Sequence, residues 1–145
     1  MTNRLLLAAA VVLALSSCTI TQTANPVIGL RDSAVEICVV EKPDVRADFQ
    51  DELLAALERR GLSSRVLPAG SPVTACPVSL TYNAKWSWDF VLYMAWAEIV
   101  VYRDGTRVGD ALYSAPRAGW SMTTRIYEPT ESKVDTMVEE LFPAN

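Results

Sequence analysis

Two carboxylates, Asp89 and Glu98, flank the apolar run from 90 to 97. If the chain turns back tightly after Asp89, the two face each other across a hairpin. Carboxyl groups about 5–9 Å apart can run glycoside hydrolysis. The plainer reading is that Asp89 caps the turn while Glu98 faces solvent or pairs with Arg107, because no basic or amide cluster stands nearby to position a sugar. The chain contains no histidine. That removes Ser-His-Asp and Cys-His catalysis, histidine-based zinc sites and histidine pH switching. Its six glycines are scattered and form no phosphate-cradling loop. An enzyme is therefore not the expectation, and neither a cofactor nor a metal is expected.

Aromatic and basic residues supply the remaining chemistry. Trp86 and Trp88 fall on the apolar positions of an alternating run, which predicts burial under a helix, with a platform for glycan or peptide as the rival role. Trp120, beside Gly119 in an irregular polar stretch, is the better candidate for an exposed anchor to a partner. Arg117, Arg125 and Lys133 gather in the same part of the chain; they suit anionic lipid heads or an acidic partner, or simply a solvated surface. No Lys/Arg cluster exceeds Arg59-Arg60, so nucleic acid is not an expected partner.

The elements that position these residues follow from periodicity. Residues 34–40 are apolar and β-branched and predict a strand. A helix follows over 45–60, with Asp44 as its N-cap and with Phe49, Leu53, Ala56 and Leu57 as its buried stripe. Gly61 suits a left-handed C-cap and Leu62 the contact that accompanies it. A short strand is predicted over 64–67. Val78, Leu80, Tyr82, Ala84, Trp86 and Trp88 then alternate with polar residues, the mark of a strand with one wet face. Strands over 93–102 and 107–113 flank an Asp104-Gly105 hairpin turn. A last helix covers 131–141, its inner stripe being Val134, Met137, Val138 and Leu141. The order predicts an α+β domain over 34–145, with two layers: a mainly antiparallel sheet of about five strands and two helices on one face.

The N-terminus has a different character. Arg4 precedes an unbroken apolar run from Leu5 to Leu15, the make-up of a secretory signal and too short to span a bilayer. Leu15-Ser16-Ser17-Cys18 resembles the lipobox of bacterial lipoproteins. The resemblance implies a signal peptide over 1–17, cleavage before Cys18, a thioether-linked diacylglycerol on its sulfur and acylation of the new amine. The alternative is an ordinary signal with a chance cysteine. Residues 18–33 show no sustained period and predict a tether. Loss of Arg4 with the signal leaves the remainder one unit more negative than the full chain's −4.

An envelope location also bears on Cys38 and Cys76. In an oxidising compartment an even pair without metal spacing predicts a disulfide, worth roughly 4 kcal/mol for a loop of this length. Two free core thiols are the alternative.

The chain is similar to a family of small, uncharacterised proteobacterial lipoproteins. The likeness rests on Trp86-Ser87-Trp88-Asp89, Tyr102-Arg103-Asp104-Gly105, Ile37-Cys38-Val39, Cys76-Pro77, Met94-Ala95-Trp96-Ala97-Glu98 and Leu141-Phe142-Pro143, and covers most of 34–143. It implies a lipoprotein and a shared fold, and brings no activity. The element order also resembles that of auxiliary lipoproteins of envelope transport and assembly, an analogy of fold alone. The resulting expectation is a lipid-anchored envelope protein on the periplasmic face of the outer membrane, since Thr19 rather than Asp follows Cys18. It would bind an envelope protein or polymer through the wet face or an open edge of its sheet. A carrier of a hydrophobic ligand and a small carboxylate-dependent hydrolase are the alternatives.

Overall fold

A computed structural model describes residues 20–30, 33–115 and 127–144. Cys18, Arg117, Trp120 and Arg125 lie outside the described residues.

The elements run β1 (Thr21–Asn25), β2 (Ile37–Val40), α1 (Ala47–Arg59), β3 (Ser64–Leu67), β4 (Val78–Asp89), β5 (Val91–Arg103), β6 (Thr106–Ser114) and α2 (Thr130–Leu141). The strands form one six-stranded sheet in the order β1-β6-β5-β4-β2-β3. The α+β class is as the periodicity predicts, but the sheet is mixed rather than mainly antiparallel, and it has six strands rather than about five. Two features account for this. The unit β2-α1-β3 returns its second strand parallel to the first, and β2 also lies parallel to β4. The sixth strand comes from the segment predicted to be a tether. Thr21–Asn25 pairs antiparallel with β6, and Val27 and Leu30 behind it are buried.

Both helices pack into one core with the same face of the sheet. Phe49, Leu53, Ala56 and Leu57 of α1 and Val134, Met137, Val138 and Leu141 of α2 are fully buried, as their spacing predicts. They meet Ile37, Val39, Leu80, Ile99, Val101 and Ala111 of the strands. The helices are clasped at the surface by Asp135, which accepts hydrogen bonds from Arg59 at 3.0 Å and Arg60 at 3.2 Å. The end of α1 is closed by Gly61 at φ 72°, with the Gly61 N–H on the Glu58 carbonyl and the Leu62 N–H on the Leu57 carbonyl. This is the Schellman arrangement that the Gly-Leu pair predicts. The start of α1 differs from expectation. Asp44 lies in a turn before the helix and pairs with Lys42, and the capping position belongs to Arg46, which makes no side-chain cap.

Cys38 lies on the opposite face of β2 from Ile37 and Val39, and it is bonded to Cys76 with α-carbons 6.3 Å apart. The short β2 is thus covered on both faces, which explains its unbroken apolar run.

Candidate functional site

The sheet's pairing register decides the fate of the carboxylate pair. Glu98 stands opposite Asn83, while Asp89 stands opposite Val91 beside the turn at Phe90. Six residues of β4 separate those two rungs, or about 20 Å at roughly 3.4 Å per residue. Carboxylates so far apart cannot act on one glycosidic bond. Glu98 instead pairs with Arg107 at 3.4 Å, and Asp89 accepts a hydrogen bond from the Tyr127 hydroxyl at 3.5 Å. Among the described residues no group of three Cys, Asp or Glu side chains gathers as a metal site.

The two tryptophans of the alternating strand part company. Trp86 packs edge-on to Phe49 and lies under the Arg46 guanidinium, 5.4 Å from the ring centre. Trp88, predicted to be core, is 68% exposed. The cause is length. β6 ends at Ser114, which pairs with Trp96, and Trp96 pairs with Lys85. β2 pairs with β4 only as far as Leu80. Beyond the Lys85–Trp96 rung, β4 and β5 continue as a two-stranded arm with no further strand beside it among the described residues. The core layer still receives the next rung, Trp86 with the buried Met94, but it ends before Trp88, although the alternation continues. Beyond the arm's base are Trp88, Phe90, Val91 and Leu92, all exposed. This arm escaped the sequence reading. Its only signal was Phe90-Val91-Leu92, an apolar triplet at a turn.

A polar recess of about 270 Å³ opens at the same end of the sheet, lined by Ile20, Gln22, Tyr113, Glu128, Ser132 and Lys133. Lys133 is buried, donates from Nζ to the Met94 carbonyl at 3.4 Å and lies 5.1 Å over the Tyr113 ring. Burial pushes its ammonium down, with the Glu128 charge opposing. Burial pushes the Tyr113 phenol up to about 12, helped by Glu128 and Tyr93. Tyr113 therefore stays protonated at neutral pH, and among the described residues neither its hydroxyl nor the Gln22 amide nitrogen meets a hydrogen-bonding partner. The recess sets the Tyr113 hydroxyl and the Lys133 ammonium beside the Glu128 carboxylate. A larger recess of about 690 Å³ between α1 and β3 has a mixed lining that includes Asp51, Leu54, Glu58, Ser63 and Val66.

No family model matches the chain, and no curated protein matches it. Solved structures do. A structure titled PelC dodecamer, from Paraburkholderia phytofirmans, superposes with a TM-score of 0.55 at 16% identity, covering 85% of this chain and 98% of that one. A point variant of that dodecamer gives 0.55 at 15% identity with the same coverage. The chain shares the fold of PelC. At such identity the likeness is one of overall fold, extending over nearly the whole PelC chain.

Proposed function

We propose that this chain is a lipid-anchored protein of the bacterial envelope that works by assembly, not by catalysis, and that its partners include further copies of itself. The observation that carries the reading is the fold shared over 98% of the PelC chain, two matching structures of which are titled dodecamers. The sheet supports it. β1 and β3 are its two edges among the described residues, on opposite sides of one protomer. Unpaired edges invite pairing, and two different edges suit the head-to-tail contacts from which rings close. β1, of sequence Thr-Gln-Thr-Ala-Asn, has none of the charged side chains that guard many edges.

The lipid anchor follows from the Leu15-Ser16-Ser17-Cys18 motif and from the resemblance to small proteobacterial lipoproteins; outer-membrane residence follows from Thr19. The separation of Asp89 from Glu98 disfavours the carboxylate hydrolase. The mixed polar lining of the recesses gives no support to a carrier of hydrophobic ligands.

Light scattering of the detergent-solubilised full chain tests the assembly. The expected species has many times the mass of one protomer. A monomer at micromolar concentration overturns the reading.

A further inference from the structure

We infer that the β4–β5 arm is a membrane-contacting finger whose tip, Trp88, Phe90, Val91 and Leu92, enters the interface of the same bilayer that holds the lipid on Cys18. The inference rests on the lipid-anchor reading above.

Thr21, the first residue of β1, pairs with Ser114, Ser114 with Trp96, and Trp96 with Lys85, so the four share one rung across the sheet. From that rung β4 runs five further residues to Phe90, about 17 Å at roughly 3.4 Å each. From Thr21 back to Cys18 is three residues, which span at most about 10 Å whatever path they take. A lipid on Cys18 therefore holds the bilayer surface no farther from the rung than the tip of the arm extends. With the arm directed along the bilayer normal, its tip reaches that surface.

Its chemistry suits the place. Trp88 is 68% exposed, Phe90 88%, Val91 55% and Leu92 48%, and the Trp88 and Phe90 rings lie 5.8 Å apart. Phe90 has φ 59°, a left-handed position where Gly or Asn is the relaxed choice. A fully solvated turn gains nothing from a phenyl ring there; a turn in the acyl boundary does. Asp89 is the one charged residue from 86 to 97, and the Tyr127 hydroxyl engages it. Tyr127 is itself partly exposed, and Trp and Tyr are the residues enriched where a protein meets a membrane surface. With no basic cluster on the arm, insertion depends on apolar burial and is insensitive to salt.

The test uses the full chain, made in a host that acylates it and reconstituted into phosphatidylethanolamine–phosphatidylglycerol vesicles with brominated acyl chains. Palmitate incorporation is measured on the same preparation. Subtracting the emission of Trp88→Phe from that of the wild type isolates Trp88. Its emission is expected to fall about twofold or more in brominated vesicles, at low and high salt alike, as for a tryptophan at the acyl boundary. An unquenched Trp88 in protein that carries palmitate and floats with the vesicles overturns the finger while leaving the anchor intact. If palmitate is not incorporated, the anchor reading falls by itself. The same protein added to preformed vesicles then reads the arm: quenching supports insertion and its absence overturns it. An unquenched Trp88 together with a change in oligomer mass on Phe90→Asn assigns the tip to a contact between copies, and also overturns the finger.

Discussion

Val27 lies against Gly109: a β-carbon on the glycine would run into Val27 Cγ2 and stand 2.8 Å from the Asn25 carbonyl oxygen. The Val27 N–H also donates to the Leu141 carbonyl at 2.8 Å, at the end of α2. The segment ahead of β2 is thus fastened to both layers. Gly109→Ala is expected to destabilise the domain by about 1–3 kcal/mol, the usual cost of forcing extra volume into a packed site. Denaturant unfolding measures it, and hydrogen exchange over Thr21–Val27 shows whether β1 is what comes loose. An unchanged midpoint with unchanged exchange would mean that the contact does not hold β1.

The disulfide joins β2 to the start of β4, segments 38 residues apart in the chain. Without it, the unfolded state regains loop freedom worth roughly 2–4 kcal/mol, a large part of a small domain's roughly 5–15 kcal/mol. The double variant Cys38→Ala, Cys76→Ala should unfold at correspondingly lower urea. Thiol labelling of unreduced, denatured protein should find neither Cys38 nor Cys76 reactive; labelling of both would reject the bridge.

Asp135 links stability to pH. Partial burial pushes its carboxyl up, but the Arg59 hydrogen bond and the Arg60 and Arg59 charges outweigh this and hold it below its ordinary value of 3.8. A carboxylate with a depressed folded pKa stabilises the fold above its unfolded pKa. That stabilisation disappears as pH falls through the folded pKa. Asp135 is 35% exposed, so solvent screening limits the pair to about 1 kcal/mol or less. Asp135→Asn should therefore lower the unfolding midpoint at pH 7 and make no difference well below pH 3.8. An equal effect at both extremes would mean that packing, not charge, is what the substitution removes.

Cys18→Ala should abolish palmitate incorporation and leave the protein unanchored or unprocessed, because the thiol is the atom that takes the lipid in a lipobox. Fractionation of the wild type should recover it with the outer membrane. Absence of label from the wild type would dismiss the lipobox reading, and recovery solely with the inner membrane would dismiss the sorting reading.

Local periodicity was enough to determine the helices, their buried stripes, the Gly61 cap and the Asp104-Gly105 turn, since each depends on residues within a few positions of one another. The Cys38–Cys76 bond was legible too, from an even cysteine pair and the expected envelope location. Tertiary structure alone decided what depends on distant neighbours. Thr21–Asn25 has no period of its own and becomes a strand because β6 offers it an edge; β3 lies parallel to β2 because α1 returns the chain to the same end of the sheet, and the 68–77 loop returns it again so that β4 too is parallel to β2. Register set Asp89 and Glu98 far apart on one hairpin, although their sequence spacing allowed a meeting. Trp88 carries the same alternation as Leu80, yet one is exposed and the other buried. A pattern of two reports which side of a strand a residue faces. Whether a second layer reaches that far depends on where β6, β2 and the helices end, and no window of β4 contains that information.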